Sequence, residues 1–530
     1  MKYRHMLTIL SIVFSFTQFA PAADTLESKV EAVLKAEPYA NAHWGLLVVD
    51  SKTGKVVFEK NADQMFGPAS VTKLFSTSAA FVDLGANHKF ETPVVRRGPV
   101  DNEGTLRGDL ILVASGDLSL GGRTGPAGTL LFEDNDHIYA GGSNTGTLVP
   151  CDPLAGLEEL AKGILASGIK RIEGDVLIDD RMFEPSVSTG SGPTHVSPIM
   201  INDSIVDVLI TPGAKAGDTA TVRTIPQTAF VNVEAQVDTV PEGQRATAVV
   251  RSVGSRAFQV RGRVPVGHKP ILRIFTIDDP AAYARSLFIE TLRRRGIKVS
   301  APAVGSNPAD RLPSRTEVAG MPRVASYTSP AFSEYAKVIL KVSHNLHAST
   351  LPLLIAANHG ESNLSQGLRR QGRILEKLGV DVSSISFGGG AGGAREDLVT
   401  PRATVTLLRA MADRPDYSSF EAALPILGVD GTLAKSVGPD SPAKGHAKAK
   451  TGTYWNDNAV NGKSVITSKA LAGVIDTAEG QKLTFAFFMN NIPVDATGVA
   501  VSEATSAAGK QLGKLCEVFY AHKAEATPAK

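Results

Sequence analysis

The stretch Pro68-Ala69-Ser70-Val71-Thr72-Lys73-Leu74-Phe75, running on to Leu84-Gly85, joins a helix entry, a nucleophile and a candidate base. Pro-Ala opens a helix at Ser70. Val71, Leu74, Phe75, Phe81 and Val82 give it a buried side, and Leu84-Gly85 closes it. Ser70 and Lys73 stand three apart and share a face, so the ammonium can reach the hydroxyl. A lysine whose charge is destabilised by its surroundings can act as the base for such a serine. A serine that opens a helix also keeps its own N–H free to hold an oxyanion. The spacing alone is cheap. Ser167 to Lys170 and Ser441 to Lys444 repeat it without the long apolar helix.

Two more motifs give it meaning. Ser343-His344-Asn345 is the only Ser-x-Asn in the chain and falls between two helical patterns, Phe332 to Val342 and Leu346 to Asn358. Lys450-Thr451-Gly452-Thr453 leads toward a C-terminal β-hairpin, Ala470 to Ile475 and Leu483 to Met489, turning at Ala478-Glu479-Gly480. An earlier Lys52-Thr53-Gly54 sits in the turn between strands Trp44 to Val49 and Lys55 to Glu59 and reads as structural. Asp24 or Thr25 can cap a first helix with Leu26, Val30, Val33 and Leu34 on one side, and a last amphipathic helix covers about 499 to 522.

Between about 92 and 325 the chain changes to short β-rich runs punctuated by Gly and Pro, interrupted by helical patterns at Leu154 to Ala166 and Pro280 to Arg295. Residues 121 to 151 are Gly-rich with an acidic patch and read as a long surface loop. The simplest organisation is one α/β domain made from both ends of the chain, with this block inserted. All three motifs lie outside the block. It is therefore expected to help position a substrate and not to support the reacting groups.

Composition narrows the function classes. In 530 residues, Lys+Arg 55 against Asp+Glu 53 leave a net charge of +2, which argues against nucleic acid as a partner. Two cysteines exclude a disulfide scaffold and Cys-rich metal sites. Cys151 and Cys516 could pair in an oxidising compartment. The order of basic Lys2, Arg4 and His5, apolar Met6 to Phe19, then Ala20-Pro21-Ala22 reads as a signal peptide over 1–22, so the chain is expected to be exported.

Ser-x-x-Lys, Ser-x-Asn and Lys-Thr-Gly in this order are the motif set of active-site serine penicillin-binding proteins and serine β-lactamases. The chain resembles the D-alanyl-D-alanine carboxypeptidase/endopeptidases of the class C, low-molecular-mass penicillin-binding proteins, peptidase family S13. The likeness extends to Ser115-Gly116-Asp117-Leu118-Ser119-Leu120, Gly174 to Asp179, Leu398 to Pro401 and Gly428 to Leu433. Most specific is the separation of Lys73 and Ser343 by 270 positions, where this family inserts two β-rich domains. Two departures stand out. His344 occupies a place where Asp is usual, and Gly388 to Ala394 lacks the usual Ser-Gly-Leu-Ser.

The resemblance implies an α/β (α+β) fold, a penicillin-recognising serine transpeptidase/β-lactamase-like domain. It would comprise 23–91 and 326–525, with one inserted domain over 92–184 and 276–325 and a β-rich one over 185–275. It implies Ser70, Lys73, Ser343 and Lys450 as catalytic residues, with Asn345, Thr451, Gly452 and Thr453 binding substrate and no cofactor or metal. Asp179 is expected to pair with an ammonium on the substrate, although Asp180 is its rival. Arg395 is a second candidate, for a substrate carboxylate. The implied partners are peptidoglycan stem peptides and, as covalent inhibitors, β-lactam antibiotics. The setting is periplasmic or cell-wall associated; weak membrane association and oligomeric state stay open. A β-lactamase and a non-catalytic wall-binding or penicillin-sensing protein are the competing readings. His344 and His347 share a helix face, but a metal site needs a third ligand and the sequence indicates none. Lys448 reads as a solvated charge and Asp430-Gly431 as a turn.

Overall fold

The computed structural model describes residues 25–142, 144–494 and 500–523. The expected signal peptide lies outside the described residues.

Helix α1 (Leu26–Leu34) starts at Thr25, whose side chain accepts from the Ser28 N–H. Strands β1 (His43–Asp50) and β2 (Val56–Lys60) follow, joined through the Lys52-Thr53-Gly54 turn, and then helix α2 (Thr72–Asp83). The chain returns to this domain with α3 (Asn345–Asn358), β3 (Ala447–Asn458), β4 (Lys463–Asp476), β5 (Lys482–Val494) and α4 (Val501–Tyr520). The five strands form one antiparallel sheet in the order β2-β1-β5-β4-β3, so strands from the two ends of the chain pair side by side. Alternation along β1 divides its apolar residues between two layers. Leu46 and Val48 pack with Val30 and Leu34 of α1 and with Leu512, Leu515 and Phe519 of α4. Leu47 and Val49 face the opposite core, which holds Leu74 and Phe75 of α2 and Leu351 and Leu354 of α3. The sheet is thus sandwiched between helical layers, with the edge strand β3 passing beside the start of α2 at Gly452.

The inserted block leaves after α2. Glu91–Arg97, Asp109–Val113 and Val176–Asp179 form a four-stranded sheet with the returning strand Arg323–Thr328. Helices Ala155–Ala166 and Pro280–Arg294 share its core. Two three-stranded sheets lie between, Thr221–Ile225 with Ile205–Thr211 and Ile271–Thr276, and Asn232–Val240 with Ala257–Pro265 and Val249–Gly254. One apolar core runs through these sheets, with Leu110 and Val176 packing in the same cluster as Val208 and Phe258, and the returning strand reaches to Thr328.

Three local expectations are corrected. The 121–151 segment is not a surface loop throughout: Arg123, Leu130, Asp136, His137 and Ile138 are buried, because their side chains meet the insert and the main domain. The helix from Phe332 is α-helical only to Lys337. A π-helical turn Val338–Val342 follows, and it ends in Ser343 with φ of 66°. The two cysteines are free, with Cys516 buried under β4 and β5 and the Cys151 thiol against the Gly122 carbonyl.

Candidate active site

Ser70 lies in a single 3₁₀ turn, Ala69–Val71, just ahead of α2, so Lys73 and not Ser70 occupies the helix's first turn. Ala69 sits at φ of 45°, a left-handed conformation that costs a residue with a Cβ roughly 1–3 kcal/mol. Two glycines press the turn into place. A Cβ on Gly392 would lie 1.9 Å from the Ala69 carbonyl oxygen, and one on Gly452 would lie 2.2 Å from that of Pro68. The glycine of Lys-Thr-Gly is therefore required by the close approach of β3 to the nucleophile turn.

The Lys73 ammonium is wholly buried and points back at Ser70, 2.9 Å from Oγ. It also donates to Asn345 Oδ1 and the Ala391 carbonyl, each at 2.7 Å. Burial pushes it down to about 7, and the Asp397 carboxylate acts in the opposite direction. Asp397 is itself pushed up to about 6 by burial. It accepts from Gly388 N and Ala394 N, which pins the loop that presents Ala391. The Gly388 to Ala394 departure thus forms a wall of the site through its backbone.

Lys450, at the start of the tripeptide on β3, donates to Ser343 Oγ and to the Thr451 carbonyl, each at 2.9 Å. Burial, reinforced by Lys73 and Lys469, holds it well below the ordinary lysine range. Asn345 spans two domains: its carbonyl takes Lys73, and its amide donates to the Ser191 carbonyl of the insert at 2.9 Å. Ser70, Ser343, Asn345, Thr451 and Thr453 open onto one cleft of about 440 Å³. Its other walls come from Ala391 to Gly393, Thr432, Tyr139, Gly190 and Ser191, and from Tyr454 and Trp455 on β3.

The insert does more than line this cleft, contrary to the expectation that it is dispensable for the reacting groups. The Tyr139 hydroxyl donates to the carbonyls of Val342 at 2.6 Å and Ser343 at 3.0 Å. Asp203 stands in a run of three left-handed residues, Asn202, Asp203 and Ser204. Its Oδ1 accepts from His347 Nε2 at 2.7 Å and lies 3.2 Å from His344 Nε2. Its Oδ2 accepts from Arg123 Nη2 at 2.7 Å and from His137 Nε2 at 2.9 Å. Burial works against its ionisation, but Arg123 and the histidines hold Asp203 well below the usual carboxylate range. His137 also meets Asp207; the carboxylates outweigh burial and push it up to about 10. Burial keeps His344 neutral, down at about 3.

This cluster brings His344 and His347 together with a third group that could bind a metal, Asp203. The two rings are stacked at 3.6 Å, both Nε2 atoms face the same Asp203 oxygen, and Arg123 and His137 take the other oxygen. The cluster acts as an electrostatic clamp on the His344 and His347 side chains, which flank Asn345. Asp203→Asn is expected to destabilise the protein by about 3–5 kcal/mol, because it leaves Arg123 and His137 short of negative charge in a buried site. It should also slow acylation of Ser70. A wild-type melting temperature together with wild-type acylation would contradict the clamp.

Asp179 is placed elsewhere. Its carboxylate is bound by Arg181, at 2.8 Å from both Nε and Nη2, and it lines a different cavity with Met182 and Leu354. This corrects the expectation that it reaches a substrate at Ser70: an arginine two residues on has already taken its charge. Its rival Asp180 does not line the cleft either. Arg395 is exposed on the loop behind Ala391 to Gly393 and does not line the cleft. Lys448 pairs with Glu421 at 2.8 Å, so it is not simply solvated, and Asp430 of the turn pairs with Lys341 at 2.6 Å. Sequence reasoning missed Tyr139, Ser191, Asp203, Asp397 and Lys469. Only the acidic Asp397, close after the Gly-rich stretch, carried any local signal.

Residues 26–512 match the D-Ala-D-Ala carboxypeptidase 3 (S13) family. The chain belongs to this family. The D-alanyl-D-alanine carboxypeptidase of Actinomadura sp. (strain R39) is 28% identical over 460 residues, 82% of this chain and 78% of the relative. D-alanyl-D-alanine carboxypeptidase DacB of Haemophilus influenzae is 23% identical over 499 residues, 91% of each chain. The crystal structure of penicillin binding protein 4 (dacB) from Haemophilus influenzae matches with a TM-score of 0.69 at 21% identity, covering 93% of this chain and 98% of that one. That likeness establishes the fold: this S13 member has the α/β penicillin-recognising architecture that the family resemblance implied.

Proposed function

We propose that this S13 protein is a serine-type D-Ala-D-Ala carboxypeptidase or endopeptidase of peptidoglycan stem peptides that β-lactams inhibit by acylating Ser70. One observation carries the reading: a wholly buried lysine, brought down to about 7 by burial, has its Nζ 2.9 Å from a serine Oγ at the floor of an open cleft. Ser70 Oγ attacks the carbonyl of the penultimate D-Ala, and neutral Lys73 takes its proton. The backbone N–H groups of Ser70 and Thr453 hold the oxyanion, a contribution of ~3 kcal/mol per donor. Ser343, bonded to Lys450, passes a proton to the departing amine. Water then releases the acyl group. Asn345 positions Lys73 through its carbonyl, and Thr451, Thr453 and Lys450 favour a substrate carboxylate. The expected setting is outside the cytoplasm, at the cell wall or in the periplasm. Among the described residues no helix is long and apolar enough to cross a membrane. A non-catalytic wall-binding role is disfavoured, because nucleophile and base are bonded to each other, and Ser343, bonded to Lys450, opens onto the same cleft.

Release of D-Ala from an acylated peptide ending in D-Ala-D-Ala tests the reading. Steady release that benzylpenicillin stops is expected, and no release at any pH would overturn it. The pH dependence follows from Lys73. Its active form is neutral, so the acylation rate should fall about tenfold per unit below a midpoint near 7 and level off above it. Besides burial, the Asp397 carboxylate is the charged group that sets this midpoint, acting to raise it. Stopped-flow acylation from pH 5 to 9 reads it (about two decades of change). A flat profile would assign the base elsewhere.

A further inference from the structure

Besides Lys73 and Lys450, a further buried lysine stands beside the substrate strand and takes no proton in the chemistry above. Lys469 lies on β4 directly across from Thr453 of β3, and it is 8% exposed. Its Nζ donates to Thr453 Oγ1 at 2.8 Å. Among the described residues it has no carboxylate partner, whereas Lys448 and Lys482 on neighbouring strands both pair with Glu421. A buried ammonium without an opposite charge is costly, and natural proteins rarely keep one without a use. Room is reserved for it. Gly509 of α4 faces the lysine head, and a Cβ there would sit 3.3 Å from both Cε and Nζ. A small cavity of about 130 Å³ joins Lys469 to Thr432, Thr451 and Thr453, the same threonines that face the Ser70 cleft from the other side.

The hydrogen-bond bookkeeping gives this arrangement a direction. An ammonium only donates, so Thr453 Oγ1 is an acceptor toward Lys469 and its own O–H is free to turn into the cleft. The Thr451 hydroxyl is engaged by Thr432 Oγ1 at 2.8 Å, which leaves Thr453 as the donor backed directly by a positive charge. A carboxylate is the ligand group that would accept from that hydroxyl and offset the unpaired ammonium behind it.

We propose that Lys469 is a positioning residue that makes the threonine strip select substrates with a free C-terminal carboxylate, acting from behind through the Thr453 hydroxyl. This inference rests on the proposed function of the same cleft. It assigns the carboxylate preference to a residue outside the three motifs. Burial brings Lys469 down to about 8, so it is charged at neutral pH, as the role requires.

The test compares acylation of Ser70 by benzylpenicillin with acylation by its methyl ester, which lacks the negative charge, using intact-mass labelling. The wild-type protein should prefer the acid. Lys469→Met should lower the rate with benzylpenicillin by roughly ten- to a hundredfold and leave the rate with the ester nearly unchanged. Lys469→Gln, which keeps a donor for Thr453 but no charge, guards against a packing defect and should lose the preference in the same way. An equal fall for acid and ester would show a structural lysine and overturn the proposal, as would an unchanged acid-to-ester ratio in both variants. Failure of the wild-type protein to be acylated by benzylpenicillin at all would instead overturn the proposed function.

Discussion

Ser70→Ala is expected to abolish peptide hydrolysis, with a loss of roughly 10⁶-fold typical for removal of a nucleophile whose partners act as a unit. The fold should survive. The substitution removes one hydroxyl from a turn held by Gly392 and Gly452, and Lys73 keeps two other acceptors, Asn345 Oδ1 and the Ala391 carbonyl. The change in stability should stay within about 0.5–1 kcal/mol, measured by thermal unfolding. D-Ala release by a properly folded Ser70→Ala protein would place the nucleophile elsewhere.

Lys73→Arg is the second large effect. Arginine keeps the charge but does not give up its proton in a protein, so it cannot serve as a base. It must also fit a wholly buried site built around one ammonium with three acceptors. Acylation should fall by at least about 10²–10⁴-fold, the usual contribution of a positioned general base. Lys73→Met removes the base without adding bulk and should lose as much. The Arg and Met variants together separate a charge effect from a base effect: a protein that needed only a cation would tolerate arginine. Wild-type acylation of Lys73→Arg would pass the role of base to Ser343, the remaining hydroxyl bonded to a depressed lysine.

The sequence made the catalytic centre legible where the chemistry is short in range. Ser70 and Lys73 are three apart, and Ser343 and Asn345 two apart. Gly452 betrays a close approach by lacking a Cβ. The central sheet was legible through short continuous apolar runs bounded by turns, in β1 and in the C-terminal hairpin, as expected for strands buried on both faces. What stayed hidden depends on long-range meetings. Asp203 reaches His347 across 144 residues, from a left-handed run that no glycine announces. Tyr139 sits in a Gly-rich segment whose composition says surface, yet that segment is anchored by Arg123, Asp136 and His137 in a buried charge cluster. Lys469 falls in a strand where its period-two position does not reveal that the facing residue is Thr453. Asp179 misled in the opposite way. A carboxylate at a strand end looks available, and only the fold back of Arg181 shows that it is not. Helix character was similarly local: the pattern through Phe332 to Val342 is apolar on one side, but the extra residue of the π-helical turn Val338–Val342 is set by packing that delivers Ser343 to Lys450.

The most direct test of the central claim is intact-mass analysis of the protein after incubation with benzylpenicillin, followed by peptide mapping. A single penicilloyl adduct on Ser70, absent from Ser70→Ala and still present after the free drug is removed, is the predicted result. No adduct on the folded protein, or an adduct on any other residue, would contradict it.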